Sequence, residues 1–220
     1  MSSKKITIPH ITPLTKAQQH LLDSINRFPI SIGLGPAGTG KTFVTAFSAA
    51  KCLVDREVDR IILTRANIPT GRTLGHFPGT INDKLSPWLA PILNNLKEFL
   101  GTSFYEYCLN KNKIQLQPLE TIRGNSYDCS FIILDEAQNL TVSEMTAVIT
   151  RIGNYSTLVI LGDPFQTDIK ELNGLKWLEN LIKKYKLNIG YTEFKLEDVV
   201  RSDIVKDILR AIYEEKGLKI

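Results

Sequence analysis

Cysteine is scarce in this 220-residue chain, and the three present, Cys52, Cys108 and Cys129, are odd in number and widely spaced. That excludes a disulfide framework and a C-x-x-C metal knuckle. Histidine is equally thin. His10, His20 and His76 fall into no H-E-x-x-H or Cys/His spacing, so no zinc site is written here. No uninterrupted apolar run approaches the length that crosses a bilayer, and Met1-Ser2-Ser3-Lys4-Lys5 leads into no apolar stretch. Neither a membrane span nor a secretory signal is expected, and a cytoplasmic location is. Internal repeats and low-complexity tracts are missing too. A strong excess of one charge is also lacking: the net charge of +4 permits a polyanionic partner without requiring one. The small cluster Lys183-Lys184-Lys186 reads as a solvated helix face. The length suits one doubly wound sheet and is too short for two full nucleotide-binding domains.

Against these absences stands Gly35-Pro36-Ala37-Gly38-Thr39-Gly40-Lys41-Thr42, which matches G-x-x-x-x-G-K-[ST]. It follows Ile30-Ser31-Ile32, a short run with β-branched residues, and precedes Phe43 to Leu53, which is apolar and Ala-rich like a buried helix. A polyphosphate carries several negative charges. Successive backbone N–H groups in a tight Gly-rich turn, backed by the positive end of a helix, can meet them. Gly35, Gly38 and Gly40 would let the backbone approach without Cβ clashes, Lys41 would neutralise the β- and γ-phosphates, and the Thr42 hydroxyl would ligate Mg²⁺.

Apolar runs separated by helical patterns predict a mainly parallel sheet covered on both faces. Beyond Ile30–Ile32, the candidates are Arg60 to Thr64, Lys113 to Gln117, Phe131 to Leu134, Thr157 to Leu161 and Ile189 to Phe194. Thr141-Val142-Ser143-Glu144 is a capping box followed by a stripe of Met145, Val148, Ile149 and Ile152. Trp177, Leu178, Leu181, Ile182 and Tyr185 form a second stripe, and Ile204, Val205, Ile208, Leu209 and Ile212 a third. All three are expected to be core faces. The stretch from about Asn67 to Ser126 reads as an insertion, with an apolar helix through Ile92, Leu93, Leu96, Phe99 and Leu100 that starts or kinks at Pro91.

Phe131-Ile132-Ile133-Leu134 ends in two adjacent carboxylates. At the C-terminal end of a buried strand, Asp135 would hold Mg²⁺ through water, and Glu136 would act on the attacking water as base or orienter. That second carboxylate favours hydrolysis over a small-molecule kinase, which must shield ATP from water. Gly162-Asp163-Pro164-Phe165-Gln166 closes the next strand. The Gln166 amide can bond both the water and a γ-phosphate oxygen. Near the N-terminus, Gln18 could pair with adenine N6 and N7 and select ATP over GTP. A guanine-reading N-K-x-D is missing, since Asn110-Lys111-Asn112-Lys113 has Lys in place of Asp.

Together these segments resemble the PhoH-like ATPases, a phosphate-starvation-associated family related to the ATPase half of superfamily 1 helicases. The resemblance runs from about Gln18 to Val205. It is carried by the Gly35–Thr42 loop, Leu63-Thr64-Arg65, Leu74-Gly75-His76-Phe77-Pro78-Gly79, Phe131 to Asn139 and Asp198-Val199-Val200-Arg201. It implies a RecA-like, three-layer, doubly wound α/β P-loop NTPase with a helical insertion, formed by residues 1–220 as one domain. By the same resemblance Gln18 reads adenine, Arg201 reaches a γ-phosphate, and Thr64 and Arg65 match a segment that touches a nucleic-acid backbone. The chain departs from the family pattern with Ala66 in place of Pro and Ser202-Asp203 in place of His-Pro. Because the chain ends soon after Arg201, no second RecA-like domain is expected. Arg201 is therefore expected to act in trans as an arginine finger within a homo-oligomeric ring, expected to be hexameric.

The function expected is Mg²⁺-dependent ATP hydrolysis coupled to RNA or single-stranded DNA. A second class is a nucleotide-gated binding module, in which ATP orders the 67–126 insertion and turnover is incidental. A small-molecule kinase is disfavoured by Glu136 and by the lack of an Arg-rich lid.

Overall fold

The computed structural model describes residues 6–66, 81–167 and 173–215. The Leu74 to Gly79 run lies outside the described residues. Every expected strand forms. They are β1 (Ile30–Leu34), β2 (Arg60–Arg65), β3 (Ile114–Leu116), β4 (Ser130–Asp135), β5 (Thr157–Gly162) and β6 (Gly190–Glu193), paired in parallel in the order β3-β2-β4-β5-β1-β6. Because β5 lies between β1 and β4, the C-terminal ends of all three open onto one edge of the sheet. That is where an open α/β sheet binds its ligand.

The continuous apolar runs are explained by burial on both faces. Ile61, Leu63, Phe131, Ile133, Val159 and Leu161 pack to one side, beneath α1 (Lys16–Arg27), α2 (Lys41–Val54), α3 (Ile81–Leu100) and α4 (Thr102–Asn110). Ile62, Ile132, Leu134, Leu158 and Ile160 pack to the other, against α5 (Val142–Ile149) and α6 (Gly174–Tyr185). The capping box at Thr141 and Glu144 starts α5 as expected. α5 ends at Ile149, so Ile152 continues the apolar stripe only after the helix has stopped, in a bridge to Tyr127.

Two readings are corrected. Of the two alternatives for the apolar helix, a start at Pro91 is set aside: α3 begins at Ile81 and runs through both Pro87 and Pro91. An interior proline costs about 3 kcal/mol, but fully burying a leucine-sized side chain returns roughly 1.5–3 kcal/mol. Leu85, Leu89, Ile92 and Leu96 are all buried, on both sides of the prolines. The second correction concerns α7 (Asp203–Glu215). Its stripe is not a core face: Ile204, Val205, Ile208 and Ile212 are exposed and Tyr213 is the buried residue. Helical spacing shows that a helix has an apolar side, not that something covers it. No described helix is long and apolar enough to cross a membrane.

Candidate active site

The Gly35–Thr42 loop joins β1 to α2, the strand-to-helix context that its chemistry needs. Two glycines are required by the packing. Gly35 has φ +140°, and a Cβ there would run into the Phe194 carbonyl oxygen; Gly40 has φ +82°, and a Cβ there would meet the Gln18 amide. Gly40 is the N-cap of α2 and supplies no side-chain cap. The first-turn amides of α2 are therefore left for an anion.

The loop is clamped from three directions. Gly35 N–H donates to Gly162 O of β5 at 3.1 Å, and Val200 N–H donates to Gly38 O at 2.9 Å. Beneath it, the buried Gln18 donates through Nε2 to Thr39 O at 3.0 Å and accepts from Leu14 N–H at 2.8 Å. Gln18 thus stands behind the loop with both ends of its amide bonded to the chain. Lys41 Nζ donates to Gly35 O, Pro36 O and Thr39 Oγ1 at 2.7, 2.6 and 3.2 Å. Burial lowers its pKa to about 8, against the pull of Asp163, Asp135 and Glu136, which raise it.

Lys41, Thr42, Asp135, Glu136, Gln166 and Arg201 all line one cavity of about 570 Å³, together with the loop residues Ala37 to Gly40. Gln18, Gly35 and Pro36 support it from outside. Strand alternation would send the two adjacent carboxylates to opposite faces of the sheet. Glu136 avoids this by adopting a left-handed backbone, φ 55° and ψ 38°, which turns both into the cavity. A non-glycine residue there costs of order 1–3 kcal/mol, the kind of strain that accumulates at functional sites.

Both oxygens of Glu136 are held. Oε1 accepts from Arg65 Nη2 at 3.2 Å and Oε2 from Gln138 Nε2. Arg65 also donates to Trp88 O at 2.6 Å and lies 3.7 Å from Asp135. Thr64 is fully buried, so it offers nothing to a nucleic-acid backbone, contrary to expectation; Arg65 faces inward to the carboxylates. Asp135 titrates at about 6, raised by burial and then by Glu136, with Arg65 pulling the other way.

Arg201, expected to serve a neighbouring subunit, also stands at the site of its own chain. It lines the cavity of its own chain, with its side chain against Gly38. The physical cause is the return of the chain after β6, pinned by the Val200 to Gly38 bond. Sequence reasoning missed Asn94 and Asn95 of α3, which line the cavity but carry no motif. It gave Asp163 no role of its own, whereas Asp163 is buried beside Gln166 and bonded to it.

The sequence profile of the PhoH-like protein family matches residues 10–214. The chain belongs to the PhoH-like protein family. A PhoH-like protein of Mycobacterium bovis is 36% identical over 211 residues, covering 94% of this chain and 60% of that protein. One from Synechocystis is 34% identical over 199 residues, 90% of this chain and 60% of that protein. Protein PhoH of Escherichia coli is 34% identical over 200 residues, 89% of this chain and 56% of that protein. The PhoH-like chain thus spans 56% to 60% of the length of these relatives. In structure it is similar to the large terminase of a thermophilic bacteriophage, with TM-score 0.58 and 14% identity over 92% of this chain and 51% of that one. The same terminase in complex with ADP gives TM-score 0.53, again at 14% identity, over 91% of this chain and 50% of that one. The fold of this PhoH-like chain is the RecA-like α/β fold of P-loop NTPases.

The donor set suits Mg²⁺. No group of three or more His, Cys, Asp and Glu side chains able to hold a metal occurs among the described residues. Mg²⁺ in nucleotide sites needs less than that, one or two carboxylates with phosphate oxygens and waters. Asp135 is a largely buried carboxylate whose charge is poorly compensated at 3.7 Å from Arg65, and Thr42 shares its cavity.

Proposed function

We propose that this chain is an Mg²⁺-dependent ATPase that works in an oligomeric ring on RNA or single-stranded DNA. The observation that carries the catalytic part is the single cavity shared by Lys41, Thr42, Asp135, Glu136 and Gln166. In this reading the loop amides and Lys41 bind the phosphate chain. Thr42 and Asp135 hold Mg²⁺, which neutralises charge that develops on the phosphates. Glu136 accepts a proton from the attacking water, Gln166 orients that water, and Arg201 reaches the γ-phosphate from the same chain. The part played by nucleic acid, the ring and the role of Gln18 at adenine rest on family membership and on the mild positive charge.

Glu136→Gln keeps the shape of the site and removes the base. It is expected to bind ATP as the wild type does and to lose turnover. Undiminished turnover in that variant would remove the mechanism. Steady-state hydrolysis measured against protein concentration, with and without single-stranded RNA, tests the rest. Specific activity that is constant with concentration speaks against the ring. Rates indifferent to RNA and DNA, with no binding at low salt, speak against the nucleic-acid partner.

A further inference from the structure

α7 is attached to the rest of the molecule through a small cluster in which Tyr213 and Leu209 pack with Leu196 and Val199. Tyr213 is the buried residue of this helix, and its ring meets Phe165 edge-on with centroids 5.5 Å apart. Its hydroxyl donates to Asp163 Oδ2 at 3.1 Å. The same oxygen accepts from Gln166 Nε2 at 2.8 Å, while Oδ1 accepts from Phe165 N–H at 3.0 Å. On its backbone side, Asp163 N–H donates to Gln138 Oε1 at 2.9 Å, and the Gln138 amide nitrogen donates to Glu136. An unbroken series of hydrogen bonds therefore leads from α7 to Gln166 and to Glu136.

Asp163 is 6% exposed, so its carboxylate depends on protein donors rather than water. Phe165 N–H and Tyr213 fix it from opposite ends. With both in place the carboxylate has one orientation, and Gln166, an exposed residue on a turn, acquires a fixed partner. Without the phenol, Oδ2 keeps Gln166 alone, and the two side chains can move together.

We propose that Tyr213 is a positioning residue for hydrolysis: by fixing Asp163 it fixes the Gln166 amide, which makes the C-terminal helix part of the hydrolytic apparatus. The proposal rests on the ATPase function above. It also gives α7 a role that its exposed apolar face does not suggest. Displacing this helix removes the Tyr213 bond to Asp163 and with it the fixed partner of Gln166.

The test uses the full chain and four forms: wild type, Tyr213→Phe, Gln166→Ala and the double variant. Phe keeps the ring contact with Phe165 and removes only the hydroxyl. Turnover at saturating Mg-ATP, affinity for a non-hydrolysable ATP analogue and melting temperature are measured for each. Tyr213→Phe is expected to lower kcat about tenfold, the worth of one well-placed hydrogen bond to a charged group. Nucleotide affinity should stay within about twofold of wild type, since the phosphate contacts are untouched. In the Gln166→Ala background the same change should cost nothing more, because residues acting through one contact are not additive. Wild-type kcat in Tyr213→Phe, with or without a lowered melting temperature, overturns the proposal and leaves a purely structural tie. Equal losses in both backgrounds overturn it as well. A wild-type chain that binds the analogue but hydrolyses no ATP overturns the ATPase function and this proposal with it, whereas an active wild type with an unaffected variant overturns the proposal alone.

Discussion

Replacing Asp135 with Asn should make the nucleotide-free protein more stable at neutral pH, although it removes a proposed metal ligand. The carboxyl is 14% exposed and faces Glu136, and its pKa rises from the usual 3.8 to about 6. Burial is the larger cause, the Glu136 charge the next, and Arg65 offsets only part of them. A shift of about two pKa units corresponds to roughly 3 kcal/mol of destabilisation once the group is ionised. The sign follows from proton binding. The folded state holds this proton more tightly than the unfolded state, so the stability associated with it is complete below about pH 4 and lost as the pH rises through about 6. Asn is isosteric and never ionises. The gap between the variant and wild type should therefore be small at pH 4 and open across pH 4 to 6. Above that it should reach about 2–3 kcal/mol, or roughly 5–10 °C in Tm for a chain of this size. Circular-dichroism melts at both pH values, without nucleotide or metal, measure it directly. Adding Mg²⁺ with an ATP analogue should then reverse the order, because a ligand at a thousand times its Kd stabilises the form that binds it by about 4.1 kcal/mol. A variant that melts at or below wild type at pH 7.5 without ligands would refute the claim that Asp135 is a buried charge awaiting a cation.

Other outcomes test separate parts of the site. Lys41 has its pKa lowered to about 8 by burial, so affinity for Mg-ATP should weaken as the pH rises above 8. Calorimetry at pH 9 in buffers of different ionisation enthalpy should show proton uptake on binding, and none would mean that Lys41 stays charged. Gln18→Ala leaves the Thr39 carbonyl without its side-chain donor and is expected to lower stability by about 1–3 kcal/mol and weaken nucleotide binding. The ratio of ATP to GTP affinity in that variant separates bracing of the loop, which leaves it unchanged, from adenine reading, which loses it. Ile208→Ser on the exposed face of α7 should change stability by no more than about 0.5 kcal/mol, and a larger fall in a urea titration would show that the face is covered in solution.

The amino-acid order by itself determined the six strands, because a strand buried on both faces must be apolar throughout, and runs such as Phe131 to Leu134 have no other good home. It also determined the phosphate loop, since few alternatives to Gly survive at Gly35 and Gly40 and the pattern is local. It reached the adjacent carboxylates at the end of β4 for the same reason: the chemistry sits beside a strand that periodicity can detect. Element extent was harder to read where two local rules conflict, as in α3, where proline opposes helix and the buried leucines on either side prevail.

What only the tertiary structure decided is which side chains meet. Sheet order puts β5 between β1 and β4, and that alone brings Asp163 and Gln166 between the loop and the carboxylates. The left-handed turn at Glu136, the inward course of Arg65, the bracing of the loop by Gln18 and the hydroxyl of Tyr213 at Asp163 each depend on residues distant along the chain. The nearness of Arg201 to its own loop was not legible because sequence supplied its likeness to a finger but not the return path past Gly38. The apolar stripe of α7 was misjudged because its period reports an amphipathic helix, and what covers such a face is set by the packing of other elements. Local conformation follows from local sterics and burial; the site follows from long-range contacts, which no periodicity encodes.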